Sequence, residues 1–279
     1  MTDFKRFTGC LAGLVVLLAV HSGAADAARI AFLTDLHVNL KTNGAGSLFN
    51  KNLDKMIGAV NAARVDLVLL GGDLTDQGTP EQMDLFLARI ANFSAPVFLV
   101  PGNHDVGRMR TKAGLNTLTQ GRLTAFEDRL GPLFFARQQA GVRVIGITSP
   151  LLCSGLEAER AQWDFLEKAL AVSNAAPTLL LTHYPVFYKH PGESPNDYWI
   201  TRPSERARFL GLLKKGGVRA VLSGHIHRKL VLEHDGISFI TTGAIANRAP
   251  RPEKDHRFFW VLLTVSPGGK VTHEFKQLK

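Results

Sequence analysis

Nine residues in this chain have side chains that bind metal ions or move protons, and each stands just past a short apolar run. They are Asp35 and His37; Asp73; Asn103, His104 and Asp105; His183; and His225 and His227. Five of the ten histidines fall in this set, whereas His21, His190, His234, His256 and His273 lack the context. Imidazole, carboxylate and amide oxygen with no thiolate suit borderline and hard ions such as Mn, Fe or Zn. One Asp-x-His or Gly-Asp pair is commonplace; the recurrence in order along the chain is what points to metal chemistry. In Asp35-Leu36-His37 an extended backbone of period two sends both polar side chains one way and Leu36 into the core. His225-Ile226-His227 repeats the arrangement. Gly72 and Gly224 let backbone approach closely beside these groups. Asp73, after two glycines, is where a carboxylate can bridge two ions.

The elements that must carry these residues follow from periodicity. Short apolar runs at 29–34, 66–70, 96–100, 142–148, 178–182 and 219–222 predict strands, and helical spacing predicts helices at 52–63, from Pro80, at 156–170 and at 206–214. The basic stretch 108–129 reads as a loop plus a helix. Four runs near 229–233, 237–241, 258–265 and 271–275 read as strands in hairpins. Alternating strand and helix predicts an α/β fold built on βαβ units with a parallel sheet. In such sheets ligands bind past the carboxyl ends of strands, where all nine residues fall. No linker divides residues 28–279, which read as one domain.

Residues 1–27 differ from the rest. Lys5 and Arg6 precede an apolar stretch from Cys10 to Val20, and Ala25-Asp26-Ala27 has the small-x-small form of a cleavage site. The stretch is shorter than the ~20 apolar residues of a membrane span and reads as a secretory signal cut near Ala27–Ala28. Secretion or a periplasmic location is the expectation, with an uncleaved N-terminal anchor as the alternative. Cleavage leaves Cys153 alone, so no internal disulfide can form. The 45% hydrophobic and 20% charged composition of the whole 279-residue chain is that of a globular protein. Its net charge of +9 favours anionic partners.

With these motifs in view, the chain resembles the calcineurin-like metallophosphoesterases. Asp35-Leu36-His37, Gly72-Asp73, Gly102-Asn103-His104-Asp105, His183 and Gly224-His225-Ile226-His227 carry the likeness over about residues 30–245. The resemblance implies two mixed β-sheets packed as a sandwich flanked by helices. It implies hydrolysis of phosphate mono- or diesters by a hydroxide activated at a dinuclear site of divalent or trivalent ions. Asp35, His37 and His227 would hold one ion; Asp73, shared, would hold the other with Asn103, His183 and His225. His104, oriented by Asp105, would protonate the leaving group. Purple acid phosphatases have Tyr three residues after the shared Asp, where this chain has Asp76. Asp73-Leu74-Thr75-Asp76 is closer to small bacterial cyclic-nucleotide phosphodiesterases, whereas Ser149-Pro150-Leu151 and Asn196-Asp197-Tyr198-Trp199 look more like a Ser/Thr-phosphatase branch. The expected partner is a phosphorylated small molecule or protein, with no specific nucleic acid, and a membrane only if the N-terminal segment is retained. A non-catalytic metal- or phosphate-binding module is the remaining alternative.

Arg108, with Arg110 and Lys112, can steer a phosphate or form a solvated basic face. Tyr184, Tyr198 and Trp199, in the aromatic stretch 184–203, can contact substrate or pack the loop down.

Overall fold

The structure is a computed structural model that describes residues 26–41, 44–108, 117–172, 175–194, 201–245 and 258–278. Residues 1–25, most of the stretch expected to be a signal, and Arg110, Lys112, Tyr198 and Trp199 lie outside the described residues.

In chain order the first half comprises β1 (Ala28–Leu33), α1 (Gly44–Ala62), β2 (Leu67–Leu70), α2 (Pro80–Ile90), β3 (Val97–Leu99), α3 (Asn103–Val106), α4 (Gln120–Leu130), β4 (Phe135–Gln139) and β5 (Val142–Gly146). The second comprises α5 (Glu157–Ala171), β6 (Thr178–Leu181), α6 (Pro203–Lys215), β7 (Val218–Ser223), β8 (Leu230–His234), β9 (Ile237–Thr241), β10 (Phe259–Val265) and β11 (Val271–Gln277). These strands form two mixed sheets, ordered β11-β10-β1-β2-β3 and β4-β5-β6-β7-β9-β8.

The central strands, such as β2, β5 and β6, are buried on both faces because both faces are covered. In β1, Ile30 and Phe32 join Leu69, Leu181 and Leu222 in the core between the sheets, while Ala31 and Leu33 face a second core with Met56 and Phe86 from α1 and α2. The other sheet has the same division. Val144 and Leu179 point inward, and Ile145 and Leu180 pack beneath Trp163 of α5 and Phe209 of α6. The result is four layers, helices outside and sheets inside.

The sandwich splits the expected run of parallel strands. β1, β2 and β3 are parallel in one sheet; β5, β6, β7 and β9 are parallel in the other. The β10–β11 hairpin returns to pair antiparallel with β1. Three elements depart from the sequence reading: α1 begins eight residues before position 52, and neither the short helix α3 nor β4 was anticipated. Phe135 alone of the β4 residues is buried, so its pattern lacks the apolar run that marked the other strands.

Candidate metal centre

Five strands deliver the nine residues to one rim. β1, β2 and β3 lead into Asp35 and His37, Asp73, and Asn103 to Asp105; β6 and β7 of the other sheet lead into His183 and into His225 and His227. Their ligand atoms gather in groups: Asp35, His37 and His227; and Asp73, His183 and His225. Asp73 Oδ2 joins the two, 3.3 Å from His183 Nε2 and 3.8 Å from His37 Nε2. Asp35 Oδ1 lies 3.1 Å from His227 Nε2.

The backbone reaches this arrangement by an unexpected route. Asp35 and His37 are not extended: their φ angles are 55° and 46°, and those of Asp73, His225 and His227 are 48°, 71° and 53°. The period-two expectation is therefore corrected at both motifs. The N–H groups of Asp35 and His37 donate to the carbonyls of Gly72 and Asp73 at 3.0 and 2.9 Å. Two left-handed residues flanking Leu36 keep that pairing while aiming both side chains at the rim. A tight turn closed by Ile226 N–H on the Gly224 carbonyl at 2.8 Å does the same around His225.

Glycine is required where these turns cross. Gly72 has φ +89°, and a Cβ there would sit 2.7 Å from His183 Nδ1 and 2.8 Å from the Gly102 nitrogen. Gly72→Ala is expected to cost about 2–4 kcal/mol, combining left-handed strain with overpacking. Denaturant titration measures this, and unchanged stability would show that the loop can move aside.

Hydrogen bonds fix the tautomers. A carbonyl can only accept, so His183 Nδ1–H donates to the Gly71 carbonyl at 2.8 Å, turning Nε2 to the rim. His104 Nδ1–H likewise donates to the Asp76 carbonyl at 2.7 Å. Asp35 Oδ2 is 2.9 Å from Thr34 Oγ1 and accepts from His225 N–H at 3.0 Å.

Asp105 does not orient His104, contrary to the expectation from the resemblance. Its carboxylate is fully buried and accepts from the N–H groups of Gly102, Leu74 and Thr75 and from Thr75 Oγ1, at 2.7–3.1 Å. Adjacent residues on a helical turn diverge by ~100°, so Asp105 faces back to the loop after β2 while His104 faces the rim. Asp76 takes the place beside His104. Its carboxylate oxygen is 3.8 Å from His104 Nδ1 and 3.7 Å from His37 Nδ1.

The sequence reading gave Asp76 no site role, although it lies three residues after Asp73. It also missed Arg122 of α4, which donates to the carbonyls of Gln77 and His104 at 2.7 and 3.3 Å. No motif marks an arginine on an amphipathic helix. Of the substrate candidates, Arg108 is half-buried, and its backbone pairs with that of Thr117. Tyr184 packs on the rings of His183 and His225.

Burial competes with neighbouring charge or hydrogen bonds at Asp35, Asp73, His183, Asp105 and His37. Burial raises the Asp35 pKa, but His227 and His183 together outweigh it and hold the carboxyl at about 2. Burial also works against Asp73, yet His183 and His104 keep it well below the usual carboxylate range. Burial lowers the His183 pKa, and Asp73 overcomes this and pushes it up to about 9. Burial followed by the nearby Asp73 charge pushes Asp105 up to about 6, against its hydrogen bonds. Burial prevails at His37, whose pKa is lowered.

Residues 28–229 match the calcineurin-like phosphoesterase family. The chain belongs to it. Members of this family use a dinuclear metal site.

Among relatives of this family chain, a probable cyclic nucleotide phosphodiesterase of Synechococcus sp. is 25% identical over 258 residues, covering 89% of this chain and 91% of its own. Serine/threonine-protein phosphatase CPPED1 of Danio rerio is 28% identical over 158 residues, 54% of this chain and 48% of its own. The chain thus spans about half the length of that phosphatase. A purple acid phosphatase from yellow lupin seeds shares the fold, with a TM-score of 0.63 at 18% identity, over 91% of this chain and 52% of its own.

The donor set of this calcineurin-like phosphoesterase fits the ions its family uses. His37 Nε2, His183 Nε2 and Asn103 Oδ1 are buried at the rim with no hydrogen-bond partner, an arrangement costly without a cation to bind. Ligand imidazoles must be neutral, whereas His183 is held at about 9 and His227 is also raised. Metal loading at pH 7.5 is therefore expected to release about one proton or more per chain, and apparent affinity should tighten as pH rises from 6 towards 9. Calorimetry in two buffers of different ionisation enthalpy measures the release. Loading without it would remove His183 from the ligand set.

Proposed function

We propose that the chain is a dinuclear metal-dependent phosphoesterase that hydrolyses phosphate mono- or diesters. One observation carries the reading: two groups of ligand atoms joined through Asp73 Oδ2, with the His104 ring beside them. In this proposal Asp35, His37 and His227 hold one ion. Asn103, His183 and His225 hold the other, and Asp73 is shared. Mn, Fe and Zn suit the nitrogen and oxygen donors. When bound, the ions supply positive charge that polarises the phosphoryl oxygens and brings a water's pKa near neutral.

The chain's own residues supply the rest. The Asp76 carbonyl holds the His104 Nδ1 proton, so Nε2 is the atom that gives a proton to the leaving oxygen. The side chain is 23% exposed, enough to be met from solvent. Asp105 holds the loops that carry Asp73 and Asn103 against each other.

The match over 91% of a probable cyclic nucleotide phosphodiesterase supports a small phosphate ester as substrate. The match to serine/threonine-protein phosphatase CPPED1 supports a second reading, in which the substrate is a phosphoprotein. The basic start, the apolar stretch and Ala25-Asp26-Ala27 support export with cleavage near Ala27–Ala28. An exported protein whose mass includes residues 1–27 would refute the cleavage.

The test is hydrolysis of matched aryl phosphate monoester and diester substrates by the metal-stripped chain reloaded with Mn, Fe or Zn. Metal-restored turnover is expected, and the monoester-to-diester ratio selects the substrate class. Two ions bound with no turnover on these esters or on phosphopeptides would leave a binding module and end the proposal.

A further inference from the structure

Tyr184 follows directly after His183 and sits inside a cluster of rings. Its centroid is 4.5 Å from that of His225 and 5.5 Å from that of His183, and the two imidazoles are 5.1 Å apart. Its backbone is pinned from outside the rim. Tyr184 N–H donates to Ser149 Oγ at 2.7 Å, and Ser149 is buried in the turn after β5. Four residues on, Tyr188 is tied to the last ligand loop, its hydroxyl 3.2 Å from Arg228 Nη1 beside His227.

The half-buried ring therefore forms a wall of the second ligand group. His225 stands at φ 71°, a backbone state that persists only when its surroundings hold it. The Tyr184 ring is part of those surroundings. Partners that orient metal ligands by hydrogen bonds typically change metal affinity 10- to 100-fold when mutated, and a ring wedged against two ligand imidazoles is expected to act on the same scale.

We propose that Tyr184 is a positioning residue: its ring, seated against His225 and His183, sets the affinity of the ion held by Asp73, Asn103, His183 and His225, and it does not contact substrate. This rests on the dinuclear reading proposed above. The experiment is calorimetric titration of the metal-free, folded chain with Mn(II). Wild type must first bind two ions; failure there sinks the dinuclear reading itself. In Tyr184→Leu one binding step is expected to weaken about 10- to 100-fold while the other stays within about 3-fold. Tyr184→Phe, which keeps the ring, should retain both. Asp35→Asn identifies the steps: the one it weakens must differ from the one lost in Tyr184→Leu. At saturating metal, Tyr184→Leu should recover the wild-type KM for an aryl phosphate diester. Circular dichroism checks folding, and Tyr184→Met replaces Leu if that variant is unfolded. Two unchanged metal steps with a raised KM would make Tyr184 a substrate contact. Both steps weakened together with a lower Tm would make it merely structural. Either result overturns the proposal.

Discussion

Asp73→Asn is expected to lower turnover by about 10³-fold or more, because several kcal/mol of charge stabilisation depend on holding both ions. The substitution is chosen to spare the fold. Asparagine tolerates left-handed backbone, which Asp73 needs at φ 48°. Its amide oxygen can still accept from His104 N–H, as Asp73 Oδ1 does at 2.8 Å. What changes is the other oxygen, replaced by an amide nitrogen that aims N–H groups at His183 and His37. Titration with Mn(II) should show that two ions no longer bind together. The metal-free protein gives an independent reading. Asp73 opposes the burial that lowers the His183 pKa, so in the variant that pKa should fall from about 9, and the Asp105 pKa should fall from about 6. The linkage has a definite sign. A raised His183 pKa contributes stability that is complete below the ordinary value of 6.5 and is lost as pH rises through about 9. Metal-free wild type should show that alkaline loss, and Asp73→Asn should show less of it, the remainder coming from His227, whose pKa Asp35 raises against burial. Wild-type turnover with two ions bound would remove Asp73 from the shared position.

His104→Ala is expected to separate substrates by their leaving groups. General acid catalysis contributes about 10²–10⁴-fold when the departing oxygen needs a proton. An alkyl phosphate ester should lose turnover in that range, whereas a nitrophenyl ester should lose far less. Equal losses on both would mean that His104 acts by binding, not by proton donation. Its neighbours should behave differently from one another. Asp76→Ala removes the carboxylate beside both His104 and His37, and should reproduce the leaving-group dependence in weaker form. Asp105→Ala leaves four buried donors without their acceptor, at about 1–3 kcal/mol for each group left unsatisfied, and should chiefly lower stability.

That contrast shows where sequence reasoning succeeds and where it stops. The strand ends were legible because runs such as Leu67–Leu70 are apolar on both faces and stop abruptly at polar residues. The nine rim residues follow from those stops. Which residue serves which neighbour was not legible. Asp105 adjoins His104 in sequence and is turned away by one helical step, whereas Asp76 arrives from another loop. The sign of φ at Asp35 and His37 was equally hidden, because an alternating motif aims side chains alike whether extended or left-handed. The early start of α1 was hidden by Asn43, Gly44 and Gly46, whose local preferences argue for a turn. Farther along the same helix, Phe49 is buried, and the Asn50 side chain donates to the Asn39 carbonyl at 2.7 Å. Tertiary contacts of this kind override propensity.

Left-handed backbone at Asp35, His37, Asp73, His225 and His227 also bears on how such a chain drifts over evolutionary time. Each such residue costs about 1–2 kcal/mol against a relaxed conformation, and a domain's whole net stability is roughly 5–15 kcal/mol. The rim is therefore among the least favourable stretches of the molecule to fold, and the two apolar faces of the sandwich must offset it. A duplicate copy released from selection for turnover would gain stability at these five positions by accepting glycine or asparagine. Decay of the chemistry in such a lineage would begin as thermodynamic relief, at the residues that a working copy can least spare.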